Sequence, residues 1–260
     1  MQVDGRSVFV AHGGSSFDPS RPAVVLLHGA GMDHSAWAWQ SRALAQRGSA
    51  VLAIDLPGHG GSQGPPLDSI PTLADWLVRL LDAAGIAAAA LAGHSLGALI
   101  ALDTAARFPQ RVRAIALIGA AARMPVHPAL LQAAQDNRPE AIAMVNLWGH
   151  GQRAQLGGCP VPGLWMTGLG QRLLERAGPG VLHAGLVVCD GYRDGAERAA
   201  EVPCPARVIV GARDLMTPAK AGRALAAMIP NAVASVIPAA GHMLMIERPG
   251  ETLDALLATF

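Results

Sequence analysis

Apolar residues in this chain come in nearly unbroken runs of four to six, set apart by longer stretches in which they recur every three or four positions. The runs are Ser7–Ala11, Ala23–Leu27, Ala50–Ile54, Ala88–Ala92, Arg113–Ile118, Arg207–Val210 and Ala234–Ile237. Continuous Val, Ile, Leu and Ala bury both faces of a strand, and the helical stretches between them supply the crossovers that parallel strands need. The pattern therefore predicts an α/β fold, with a mostly parallel central sheet of about eight strands flanked by helices. The first pair departs from it: too few residues separate Ser7–Ala11 from Ala23–Leu27 for a crossover helix, which marks the first run as part of an antiparallel edge. The strand series stops between Arg123 and Val202. Amphipathic segments at Pro128–Gln135 and Glu140–Trp148, with a Gly/Pro-rich middle at Gly157–Gly170, predict a helical cap inserted at 123–202. It is expected to lie over the C-terminal edge of a core built from 1–122 and 203–260.

At 260 residues and 51% apolar composition, the chain is long enough for one sizeable core plus that insertion. A net charge of +1 gives no field to gather nucleic acid or an anionic membrane. The insertion balances seven arginines against seven acidic residues, which leaves a polyanion no basic platform. A small molecule is the expected partner. No apolar stretch runs uninterrupted for the length of a membrane span, and the start, Met1-Gln2-Val3-Asp4-Gly5-Arg6, reads as neither a signal nor a transit peptide. Cys159, Cys189 and Cys204 are odd in number and scattered, with no pair at metal-ligand spacing. These features point to a cytoplasmic protein with no disulfide framework and no metal site.

Where the apolar run Ala88–Ala92 meets a helical pattern, the sequence reads Gly93-His94-Ser95-Leu96-Gly97. This is G-x-S-x-G. Two glycines remove the side-chain bulk that would clash in a very tight strand-to-helix turn, and such a turn holds a serine strained, with Oγ exposed. The helix then starts at Ser95, so its free N–H groups and its dipole face any oxyanion formed by attack on a carbonyl. Ser95 needs a base, and His242 follows the last apolar run on a Gly-containing loop, Ala239-Ala240-Gly241-His242. The base needs a partner to fix its tautomer, and Asp214 lies just beyond the run Arg207–Val210.

The chain order Ser95, Asp214, His242, each at a strand end, resembles the α/β-hydrolase fold family, of the compact kind with a helical cap. The resemblance covers nearly the whole chain, strongly outside the insertion and weakly within it. It implies a serine hydrolase that needs no cofactor. It places the acid after the strand that follows the cap; the other place the family uses, Ile118-Gly119-Ala120-Ala121-Ala122, carries no carboxylate. His28-Gly29-Ala30-Gly31 resembles the family's H-G-x-G element, which implies that the backbone N–H groups of Ala30 and Leu96 form the oxyanion hole. His28, and Asp55 and His59 in the turn Asp55-Leu56-Pro57-Gly58-His59-Gly60-Gly61-Ser62, are assigned to loop architecture.

Trp37, His94, Met124, Trp148, Trp165, Met216 and Met243 are candidates for lining the substrate pocket, and methionines would give it deformable apolar walls. Glu247-Arg248 reads as an ion pair at a helix start near the surface. Ser95 at the nucleophile position separates the chain from haloalkane dehalogenase and epoxide hydrolase relatives, which use a carboxylate. Met243 stands where hydroxynitrile lyase relatives carry lysine. The charge-balanced cap disfavours coenzyme A thioesters. A carboxylesterase or lactonase is the preferred expectation. A carbon–carbon bond hydrolase of ring-cleavage products, a cofactor-free haloperoxidase or perhydrolase, and a small-molecule receptor on the same fold stay open.

Overall fold

The computed structural model describes residues 1–260. Its main sheet has seven strands, in the spatial order β3 (Val10–Ala11), β5 (Ala50–Ile54), β4 (Ala23–Leu27), β6 (Ala89–His94), β7 (Val112–Ile118), β8 (Ala206–Gly211) and β9 (Ala232–Ile237). Every pairing in it is parallel except β3 with β5, so the first strand is the antiparallel edge that the short connection required. The mostly parallel sheet is the one expected, with seven strands where about eight were expected. Only Val10–Ala11 of the first apolar run joins the main sheet; Ser7 pairs with Gln2 in a separate two-stranded ribbon, β1 (Gln2–Val3) with β2 (Arg6–Ser7). The cause is competition for backbone partners. The loop after β5 takes the intervening groups, with Ser62 Oγ accepting from Phe9 N at 3.0 Å and Gln63 N donating to Ser7 O at 2.8 Å.

Side chains alternate across the strands into two cores. Val25, Leu27, Leu52, Ile54, Leu91 and Ile115 face α2 (Ile70–Ala83), α3 (Leu96–Arg107) and α10 (Ala219–Met228). Val24, Leu26, Val51, Ala53, Ala92 and Ile118 face α1 (Ala38–Gln46) and α12 (Pro249–Leu257). Burying each Val, Leu or Ile contributes roughly 1.5–3 kcal/mol. The helices follow from the same economy: α2 opens at Ser69, whose Oγ accepts from Thr72 N, and buries Leu73, Leu77, Leu80 and Leu81 along one stripe.

Between β7 and β8 the chain forms no strand. It makes α4 (Pro128–Gln135), α5 (Pro139–Gly149), α6 (Gln152–Gln155), α7 (Met166–Glu175), α8 (Val181–Gly191) and α9 (Gly195–Glu201). The four-residue α11 (Leu244–Glu247) follows the last strand. No helix is long and apolar enough to cross a membrane. Because β4 lies between β5 and β6, successive connections leave it in opposite directions, and the chain ends of β4 and β6 open a crevice at their C-termini. Ligands of open parallel sheets sit at such a switch point.

Candidate active site

Ser95 stands at that crevice, on the turn from β6 into α3, with φ 52° and ψ −111°. A non-glycine residue in this region carries strain of about 1–3 kcal/mol, so its surroundings must over-determine it. They do so through contacts too close for any side chain. A Cβ on Gly93 would lie 2.1 Å from the Gly97 carbonyl oxygen, and one on Gly97 would lie 2.3 Å from the Leu27 carbonyl oxygen of β4. The Ser95 amide is tied to Ile118 O of β7 at 2.9 Å. Leu96 takes the first helical position, where an N–H has no intrahelical acceptor.

Asp214 follows β8 and is almost fully buried. Its Oδ1 accepts from the amides of Met216 and Thr217, both at 2.8 Å, and its Oδ2 accepts from Thr217 Oγ1 at 2.7 Å and His242 Nδ1 at 2.8 Å. Burial alone would raise its pKa, but His242 and these donors outweigh burial and hold the carboxyl below its ordinary value. An ionised carboxylate only accepts, so His242 donates from Nδ1 and keeps Nε2 as the basic nitrogen. The imidazole lies over the end of β7: a Cβ on Gly119 would come within 2.9 Å of His242 Cε1 and Nδ1. Neighbouring strands β6, β7 and β8 thus present Ser95, the space for the ring, and Asp214 in sequence.

The loop after β4 is braced from below. His28 Nδ1 donates to Gly29 O at 2.8 Å and its Nε2 accepts from Leu56 N at 3.0 Å. Burial, with His59 beside it, pushes His28 down to about 3, so it stays neutral and structural. Asp55 collects the amides of His34 and Gly61 and the ring of His34, at 2.7–2.8 Å, as the architectural role requires.

Ser95 and His242 share a cavity of about 130 Å3, and Ala30, Met124, Trp148 and Met216 line it with them. The four remaining pocket candidates do not. Trp37 is fully buried in the core beneath α1, and Met243 is buried in the same core. Trp165 is 72% exposed at the start of α7. His94 is buried behind the site, where its Nε2 donates to the His242 carbonyl at 3.0 Å; burial and the neighbouring His242 push it down to about 3. For Trp37, His94 and Met243 the cause is shared. Nearness in sequence to a strand end does not say which face a side chain takes.

Other residues at the site gave no recognisable pattern. Leu130 of α4 and Leu186 and Cys189 of α8 join Pro125, Val126 and Leu215 in the apolar wall, and burial lifts the Cys189 thiol to about 12, which leaves it a protonated, inert lining group. Thr217 is legible only in retrospect, as a hydroxyl three residues after the acid. Glu247 corrects the surface ion-pair expectation: it is buried and accepts from Gly241 N and Gly151 N, while Arg248 pairs with Glu251 at 3.7 Å. A larger hollow of about 890 Å3 lies among α4, α5, α7 and α8, edged by Asn137, Arg138, Gln171 and Glu175. It contains none of Ser95, Asp214 and His242, so size and chemistry separate in this molecule.

Residues 24–255 match the model of the alpha/beta hydrolase family. The pimeloyl-[acyl-carrier protein] methyl ester esterase of Chromobacterium violaceum is 34% identical over 244 residues, 90% of this chain and 92% of its own. Among solved structures, the enol-lactonase from Burkholderia xenovorans LB400 superposes with a TM-score of 0.87 at 27% identity, covering 98% of this chain and 97% of that one. A thermophilic esterase superposes with a TM-score of 0.81 at 28% identity, covering 99% and 94%.

Proposed function

The chain belongs to the alpha/beta hydrolase family, and from that premise we propose that it cleaves small, largely apolar carboxylic esters or lactones through an acyl-enzyme on Ser95. The observation that carries the reading is a strained serine opening into the same cavity as an imidazole whose other nitrogen is held by a buried carboxylate. Ser95 Oγ attacks the carbonyl carbon while its proton passes to His242 Nε2. The amides of Ala30 and Leu96 receive the oxyanion. Collapse breaks the bond to the alkoxy oxygen, which leaves as the alcohol with the proton from His242. A water molecule, deprotonated by His242, then attacks the acyl carbon, and the acid departs as Ser95 recovers its proton.

Cavity size narrows the substrate. A dry cavity of about 150 Å3 takes a body the size of benzene, so 130 Å3 between Met124, Leu130, Leu186 and Met216 suits a fragment of about six heavy atoms or fewer. Residues 123–202 act as the cap that shapes this wall. A small neutral molecule is the partner, and the reaction needs no metal or organic cofactor. The reading puts the enzyme in the cytoplasm, on the odd number and scattered placement of its three cysteines in the sequence. The carbon–carbon hydrolase, perhydrolase and receptor readings have no residue here that favours them over ester cleavage.

A panel of aryl esters graded in acyl length, run beside a lactone, a coenzyme A thioester and a vinylogous diketone, tests the proposal. Short neutral esters are expected to lead, and Ser95→Ala is expected to lower turnover on the order of a millionfold with the fold intact. An organophosphonate is expected to label Ser95. A diketone rate about a hundredfold above the best ester, worth about 2.7 kcal/mol, would replace ester hydrolysis with carbon–carbon cleavage. Tight binding without turnover would make the protein a receptor.

A further inference from the structure

Glu247 is a buried carboxylate beside the site that the reaction above leaves unused. It ends α11 and is 3% exposed. Its two oxygens serve two separate parts of the chain: Oε1 accepts from Gly241 N at 2.9 Å, one residue before His242, and Oε2 accepts from Gly151 N at 2.9 Å, in the insertion. The insertion reaches back as well. The Gly149 carbonyl accepts from the amides of His242 at 2.8 Å and Met243 at 3.0 Å. Two hydrogen bonds therefore join 149–151 to 241–243 directly and two more join them through Glu247, and the two segments touch too closely for side chains: a Cβ on Gly241 would lie 2.5 Å from Gly151 N.

No basic side chain compensates this carboxylate, since its neighbour Arg248 turns to Glu251. Burial accordingly raises its pKa against the pull of its backbone donors. Two amide donors on different segments each need an acceptor in a place water does not reach, and a carboxylate offers both in one side chain. Trp148, which lines the substrate cavity, is bonded directly to Gly149. The wall that meets the substrate and the segment that holds the base are thus consecutive residues.

We propose that Glu247 is a positioning residue for His242, clamping the loop that carries the base onto the insertion, so that the orientation of the imidazole depends on how the insertion is seated. This rests on the reading of His242 as the general base. Through Trp148 and Gly149, the clamp links occupancy of the cavity to the alignment of the base. The linkage makes a substrate that seats Trp148 well also one that aligns His242 well.

Glu247→Gln tests this directly, because a carboxamide of the same shape can accept from one of the two amides and must point its own N–H2 at the other. With rates normalised to the Ser95 sites titrated by an aryl phosphonate, kcat is expected to fall on the order of 10- to 100-fold, with KM changed less than about threefold. The low-field proton resonance of His242 Nδ1–H is expected to shift or exchange away. Gly151→Ala, which presses on the clamp from the insertion side, is expected to show the same kcat-selective loss, and the double variant to lose less than the product of the two. Glu251→Gln, an exposed neighbour, serves as the control with unchanged rate. A Glu247→Gln variant with wild-type kcat per titrated site and an unmoved resonance would overturn the proposal, as would a loss explained wholly by fewer titratable sites. His242→Ala retaining turnover would instead overturn the reading of the base itself, whereas an inactive His242→Ala beside an unaffected Glu247→Gln overturns only the clamp.

Discussion

Ser95 and His242 meet in one cavity but are held there by different means. Around Ser95 the constraint is backbone against backbone, with Gly93 against the Gly97 carbonyl, Gly97 against the Leu27 carbonyl, and the Ser95 amide on Ile118 O. Around His242 the backbone contacts of Gly241 and the Gly149 carbonyl are joined by side chains from distant segments, Asp214 and Thr217 beyond β8 and Glu247 at the end of α11. The difference matters for what each side tolerates. A backbone-defined turn accepts no added carbon but does not depend on charge, whereas a side-chain-defined ring position depends on the chemistry of each partner.

The largest effect should come from adding one carbon on the nucleophile side. In Gly97→Ala the new Cβ meets the Leu27 carbonyl of the inner strand β4, which cannot move without disturbing the sheet. Ser95 Oγ and the Leu96 amide would shift together, so the activity loss should approach that of Ser95→Ala. Stability should fall by about 3 kcal/mol or more, roughly 10 °C in Tm. Esterase assays with thermal melts check both. A near-normal Gly97→Ala would mean that the turn is softer than the contacts imply and would erase the contrast with the base side.

A change of chemistry without size, Asp214→Asn, should do less to the fold and still lower kcat on the order of 10⁴-fold. An amide cannot serve His242 Nδ1–H and Thr217 Oγ1 as the carboxylate does, and it favours the wrong imidazole tautomer. KM should change little because Asp214 lies behind the ring, away from the cavity wall. Separate kcat and KM values, with a melt to show a retained fold, test the claim. A large rise in KM alone would mean that Asp214 shapes the pocket instead of the base.

The same contrast explains what the sequence disclosed. The sheet is legible because its inner strands are local runs of residues buried on both faces, with only the edge strands β3 and β9 partly exposed, and the nucleophile turn is legible because Gly93, Ser95 and Gly97 fall within five consecutive positions doing one steric job. Asp214 and His242 were legible as polar residues just past apolar runs. Their support was not. Gly151 and Glu247 are 96 residues apart in the chain, and Glu247 next to Arg248 reads as a surface pair until the insertion is seen to cover it. The pocket candidates divide for the same reason: Met124 turns toward Ser95, while Met243, equally close to a strand end in sequence, turns into the core. The first strand-like run, Ser7–Ala11, joins the main sheet only through Val10–Ala11, because its other groups are taken by Ser62 and Gln63, more than fifty residues away.

The smallest effect separates the two sides by pH. On the nucleophile side, Asp55 holds the His34 ring at 2.8 Å and raises its pKa, burial opposing; the folded protein therefore binds the His34 proton more tightly than the unfolded chain does. Stability from this pair is fully present below the unfolded histidine value of about 6.5 and is lost as pH rises through the higher folded value. Water reaches His34, whose side chain is 29% exposed, so the pair should contribute at most about 1 kcal/mol, or about 2–4 °C in Tm. Melts at pH steps from about 6 upward should show a decline in the wild type that is flatter in His34→Gln, which cannot carry the charge. Turnover per active site should differ little between the two, since the pair braces the loop without entering the cavity. A His34→Gln variant with the wild-type slope would show that the Asp55 hub is held by its two backbone donors alone, and that the nucleophile side is then insensitive to charge throughout.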